Sequence, residues 1–197
     1  MAGRPEPPGP LPMTPLIRRI ARATGIWLAL AAFQSASASP ILVRDDRDRT
    51  IDLAGPARRA VTLAPHATEL VYAAGAGAFI AGTVLGSDYP PAARALPIIG
   101  DGTQPDAERV AAARPDLLIA WQPSAAEPLT RVMDKLGVPV FYSDPLTLAA
   151  IPGAVERMGK LFGTEPVANA AAADMRARLA ALQARYAGRR PVRVFVQ

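Results

Sequence analysis

A single histidine, His66, and no cysteine set narrow limits on the chemistry this 197-residue chain can perform. Without cysteine there are no disulfides, no thiolate metal sites and no thiol nucleophile. One histidine limits the nucleophile–base pairs, and no G-x-S-x-G elbow is present to hold a reactive serine. Asp88, Asp101, Asp106 and Asp116 form neither a metal-ligand spacing nor an acid–base pair. Asp116 follows Pro115 and leads into a strand, as turn-bounding acids do. Gly75, Gly77, Gly82 and Gly86 do not make a G-x-G-x-x-G that opens a helix, so a nucleotide site is unsupported. No catalytic residue, protein-held metal or cofactor is expected. Clefts favour aromatic anchors. Two aromatic candidates stand out: Tyr89 beside Pro90-Pro91, and Trp121 at the end of LLIAW. Each has a plainer reading, Tyr89 as cover for the proline turn and Trp121 as a core side chain under the following helix.

These candidates sit at the ends of predicted strands. Residues 41–53 (ILVRDDRDRTIDL) read as two short strands around a polar turn. Residues 59–65 form a strand ending at a proline, and residues 68–74 a helix that stops at Gly75 and Gly77. A second buried strand is predicted over 79–84, a loop over 85–97, and a helix over 106–114 with acids in its first turn and a base in its last. Residues 117–121 form a short buried strand, 129–136 a helix ending at Gly137, and 138–143 another strand. Alternation of strand and helix implies a parallel sheet covered by helices. Such sheets bind ligands beyond the carboxyl ends of their strands. That rule singles out Pro65-His66, Asp88-Tyr89, Trp121-Gln122 and Asp144.

The last part differs in character. Residues 148–162 read as a helix with Pro152 in or near its first turn, interrupted at Gly163. Residues 165–186 read as a long, Ala-rich, half-exposed helix with Pro166 near its start and Gly188 just past its end. Residues 192–196 (VRVFV) look like the first strand of a further lobe, and since a strand needs neighbours, the sequence is expected to be truncated.

The formal net charge of +5 is unevenly placed. Arg4, Arg18, Arg19 and Arg22 precede residue 39 against only Glu6, and the rest has 18 basic and 16 acidic residues. A nearly neutral body gives no argument for nucleic acid. Half of all residues are apolar, enough for a sizeable core. Residues 1–38 read as an export signal: a Pro/Gly-rich start, basic Arg18, Arg19 and Arg22, the apolar run TGIWLALAAF, and Ala36-Ser37-Ala38 as a cleavage site. The apolar run is short for a bilayer span.

The order of RAVTLAPHATELVYAAGAG, GSDYPPAARALP, DAERVAAARPDLLIAW and LGVPVFYSD, followed by the long helix and RVFVQ, resembles the periplasmic binding proteins of ABC importers for vitamin B12, heme and iron-siderophores. SDYPP followed by PDLLIAW looks most like the cobalamin-binding branch. The resemblance implies an α/β fold: a parallel-sheet lobe with flanking helices (39–163), a long interlobe helix (164–188), and the first strand of a missing second lobe (189–197). It implies a monomeric periplasmic receptor, not an enzyme, that hands cobalamin to a permease. Heme or a ferric siderophore is the alternative ligand, and an exported α/β enzyme the alternative class.

By the same resemblance Tyr89 lies against the corrin, and Trp121 lines its pocket. A flat apolar macrocycle suits aromatic faces. His66 is placed at the cleft mouth. An imidazole can ligate heme iron or corrin cobalt, but packing at the helix start, assisted by Thr68 and Glu69, is the reading preferred here, with ligand contact short of coordination. Glu108 matches the glutamate that pairs with permease arginines; its plainer readings are a partner for Arg109 or Arg114, or a first-turn acid favouring the helix dipole. The loop 100–105 lacks an aromatic often present in the cobalamin branch, and is expected to be polar and flexible. Apart from Arg94 the cleft loops carry little basic charge, which favours a corrinoid over anionic siderophores.

Overall fold

A computed structural model of the chain describes residues 40–121 and 123–195. The expected export segment, residues 1–38, lies outside the described residues, as do Gln122 and Val196.

The polar turn DDRDR separates two antiparallel strands, β1 (Ile41–Arg44) and β2 (Thr50–Leu53). Four short strands then build one parallel sheet: β3 (Ala60–Thr62), β4 (Ile80–Thr83), β5 (Leu117–Ala120) and β6 (Val140–Tyr142), in the order β4-β3-β5-β6. All residues of β3, β5 and β6 are buried, as continuous apolar runs in a sheet covered on both faces should be.

Alternation along the strands divides the core. Ala60, Leu117, Ile119 and Phe141 face one side and pack with α1 (Pro65–Ala73), α4 (Ile151–Phe162) and the hairpin. Val61, Leu118, Ala120, Val140 and Tyr142 face the other and pack with α2 (Ala107–Ala112) and α3 (Pro123–Lys135). Burial of each large side chain such as Leu117, Leu118 or Ile119 stabilises by about 1.5–3 kcal/mol relative to exposure.

The polar turn of the hairpin protects the open edge of β6. Asp45, buried, accepts from the backbone N–H of Arg47, Arg49 and Tyr142 and from Arg49 Nε. Arg49 also donates to the Val140 carbonyl at 2.7 Å, and the guanidinium groups of Arg47 and Arg49 lie 4.7 and 4.6 Å from the Tyr142 ring centroid. The edge that could template another strand is thereby covered.

The helices follow their sequence signals with one correction. Asp106 caps α2, its carboxylate accepting from the N–H of Glu108 and Arg109. Gly163, at φ 68°, terminates α4 in the left-handed region. Asp116 accepts the N–H groups of Arg58 and Arg59, the turn-bounding role expected of it. The helix expected to begin at Leu129 instead begins at Pro123 and contains Pro128. Proline in its second turn removes one N–H bond without ending the helix. Of the strand expected over 192–196, the described part shows none: residues 189–195 have no regular structure, and Val192, Val194 and Phe195 are exposed. A strand exists only through a partner, and none is available to it among the described residues.

The long helix α5 (Glu165–Tyr186) spans about 33 Å at 1.5 Å per residue. Its first half docks on α4 through small residues. Ala168 and Ala172 are fully buried, and a Cβ on Gly159 of α4 would come within 2.4 Å of the Ala168 methyl. Arg176 fixes the crossing with two bonds to the Glu156 carboxylate, at 2.6 and 2.8 Å. Further along, Leu182 and Tyr186 are half exposed, consistent with the half-exposed helix expected.

Candidate ligand-binding site

The strand order places a crevice at the carboxyl ends of β3 and β5. From β3 the chain moves outward to β4, whereas β5 and β6 lie on the opposite side. Such a reversal opens a gap between the loops that follow the two central strands. Pairing continues past the strand ends, with Leu63 N–H donating to the Ile119 carbonyl and Ser143 N–H to the Ala120 carbonyl, both at 2.8 Å. The next residues, His66, Trp121 and Asp144, are therefore held side by side.

His66 and Trp121 meet edge to face, with ring centroids 5.6 Å apart and planes at 82°. Trp121 donates from Nε1 to Asp144 Oδ1 at 2.9 Å. His66 Nε2 lies 3.2 Å from the Ser143 carbonyl oxygen. A carbonyl only accepts, so Nε2 carries the proton and Nδ1 is the lone-pair nitrogen of the neutral ring. The expected help from Thr68 and Glu69 at the helix start is not what holds His66; the Ser143 carbonyl and the Trp121 ring do so.

Asp144 is positioned from behind. Its N–H donates to Asp46 Oδ2 at 2.7 Å, and Asp46 Oδ1 accepts from Arg157 at 2.5 Å. The chain of contacts thus runs from α4 through the hairpin turn to the Trp121 indole. The turn DDRDR has a role in the site that its sequence alone did not reveal.

Tyr89 is placed by a different device. The hydroxyls of Thr62, Thr68 and Thr83 lie 2.7–2.9 Å from one another, and Thr83 also donates to Ser87 at 2.8 Å. All four residues are buried. The cluster ties β3, α1 and β4 to the loop that carries Tyr89 two residues later, where the Tyr89–Pro90 peptide is cis.

These residues enclose one cavity of about 470 Å³. Tyr89, Trp121 and His66, proposed from sequence, all line it, together with Asp144 and Pro145. Leu70 and Ala73 of α1, Ile151 of α4 and Met175 of α5 supply apolar wall, and Glu69 a second carboxylate. Sequence reading missed Ile151 and Met175, because they reach the site only through the docking of α4 and α5. Asp144 was legible as a strand-end position, but its bond to Trp121 was not. Tyr89 and Trp121 are 64% and 45% exposed. Neither is therefore a buried core side chain, the plainer reading open for Trp121.

Glu108 lies elsewhere, exposed on α2 and outside the cavity lining. Of its plainer readings, Glu108 does stand in the first turn of α2, whereas Arg109 pairs instead with Asp106 at 3.3 Å. No ion pair to Glu108 is found among the described residues. The loop 100–105, expected to be flexible, is folded upon Asp101. That carboxylate accepts from the Thr103 hydroxyl and from the N–H groups of Thr103 and Gln104. These donors, the Thr103 hydroxyl first, hold its pKa below the ordinary carboxylate value.

The described chain is a parallel α/β lobe with an open aromatic cavity at its strand ends, followed by a long helix. Residues 61–197 match the family model described as periplasmic binding protein, and the chain belongs to that family. It is 35% identical over 143 residues to a vitamin B12-binding protein of Vibrio campbellii, covering 73% of this chain and 52% of the relative. The crystal structure of a periplasmic vitamin B12 binding protein of Vibrio cholerae superposes with a TM-score of 0.64 at 34% identity, covering 70% of this chain and 54% of the other. A periplasmic heme binding protein of Pseudomonas aeruginosa gives 0.60 at 30% identity, covering 66% and 47%. The chain spans about half the length of the curated relatives it matches.

Proposed function

We propose that this chain captures a corrinoid of the cobalamin type in the periplasm and presents it to an ABC importer permease. The observation that carries this reading is the convergence of Tyr89, Trp121 and His66 on one cavity with apolar walls. A corrin ring is flat and apolar on its faces, and binds well between aromatic and aliphatic surfaces. The vitamin B12-binding relatives at 33–35% identity support the same ligand class. Residues 1–38 act as the export signal, and the receptor works as a monomer. Glu108, exposed and without an ion-pair partner among the described residues, meets basic residues of the permease; such rim charges steer encounter and fix register.

One observation favours heme as a second reading. His66 stands at the cavity with one ring nitrogen already committed to Ser143, which leaves Nδ1 for a metal. Parallel absorbance titrations of the protein with cyanocobalamin and with hemin separate the two. Corrinoid binding with weaker or no hemin binding supports the proposal. Hemin binding accompanied by a Soret shift that is lost in His66→Ala, with no corrinoid binding, rejects it.

A further inference from the structure

The charged side chains at the cavity are both acidic. Glu69 and Asp144 line it, and no lysine or arginine does so among the described residues. Arg94, the basic residue of the cleft loops, turns its Nε to the Asp88 carbonyl. One oxygen of Asp144 accepts from Trp121, and the other oxygen and both Glu69 oxygens have no protein donor among the described residues. A carboxylate is an acceptor only. The cavity therefore joins aromatic side chains to carboxylates that accept hydrogen bonds and repel anions.

We infer that Glu69 and Asp144 select the rim chemistry of the macrocycle, admitting a ring bordered by carboxamides and disfavouring one bordered by carboxylates. The inference rests on the corrinoid reading and adds to it two specificity-determining residues. Carboxamide N–H groups donate to Glu69 and to the free oxygen of Asp144. Carboxylate side chains on the same ring would meet like charge at Glu69 and Asp144.

The test holds the ring constant and changes its border. Binding of cobinamide, whose corrin carries carboxamides, is compared with binding of cobyrinic acid, which carries carboxylates in their place. The expected result is a preference for cobinamide of about tenfold or more, a typical size for one unfavourable charge contact. In Glu69→Gln and Asp144→Asn the preference shrinks at least severalfold, mainly because cobyrinic acid binds better. Asp144→Asn keeps an oxygen for the Trp121 N–H, so loss of indole positioning does not confuse the outcome. Equal binding of both corrinoids, or an unchanged preference in both variants, overturns the inference and leaves the corrinoid reading standing. Binding of neither corrinoid overturns both.

Discussion

Trp121 donates its indole N–H to Asp144 across 2.9 Å, joining the residue after β5 to a residue just beyond β6. The bond fixes an otherwise half-exposed ring at the edge of the cavity. Asp144 is itself held by Asp46, and Asp46 by Arg157, so the orientation of the indole depends on α4 and the hairpin.

Removing that anchor leaves Trp121 in place but free to turn. Asp144→Ala is expected to weaken corrinoid binding by about 1 kcal/mol, the usual worth of such a bond. Asp144→Asn retains an oxygen acceptor for the indole N–H and is expected to lose less than the alanine variant, because only the acceptor facing the ligand changes. Isothermal titration of the two variants measures the difference. Equal losses would show that the indole bond adds nothing beyond the acceptor that faces the ligand.

The close crossing of α4 and α5 depends on Gly159. A methyl there would overlap Ala168, so Gly159→Ala is expected to destabilise the protein by about 1–3 kcal/mol despite its better helix propensity. Urea unfolding reads the change directly. Because Met175 on α5 lines the cavity, ligand affinity should fall in the same variant.

Glu156 titrates under the influence of Arg176, whose hydrogen bonds hold its pKa below the ordinary value of 4.5. A lowered folded-state pKa gives stability that is present above the unfolded pKa and lost as pH falls through the folded one. The gap in stability between parent and Glu156→Gln should therefore be open above about pH 5 and close toward lower pH. The pair is partly exposed, so the gap is small and shrinks with added salt. Thermal melts across that pH range, at two ionic strengths, check both statements.

Much of this arrangement was legible in the chain. The alternation of buried strands with helices implies the parallel sheet, and the rule for strand ends points to His66, Tyr89 and Trp121. The hidden part is what depends on long-range docking. Met175 sits in an Ala-rich helix whose pattern does not announce a cavity wall, because only small residues such as Ala168 and Ala172 are buried. The hairpin was legible only as a polar turn between two strands, yet Asp45 is buried and Asp46 braces the site. Loop 100–105 looked flexible because it is polar and Gly-rich; its order comes from one carboxylate gathering three donors. The residues 192–195 have strand composition, but composition cannot supply the partner that a strand needs.

Glu108 offers a separable test of delivery. Glu108→Ala is expected to leave corrinoid affinity unchanged, since the residue lies outside the cavity lining. Permease-dependent uptake should fall, and more so at low ionic strength, where rim charges steer encounter best. Loss of ligand affinity in this variant would place Glu108 in the binding machinery instead.

The most direct measurement is an equilibrium titration of cyanocobalamin into the parent protein and into Tyr89→Ala, Trp121→Ala and the double variant. Both side chains are too exposed to carry the fold, so secondary structure and unfolding midpoint should change little. Each single variant is expected to lose about 1 kcal/mol of binding, and the double variant more than either. Saturable binding in the parent that survives unchanged in the double variant would contradict the central claim, because the corrinoid would then be held somewhere other than this cavity.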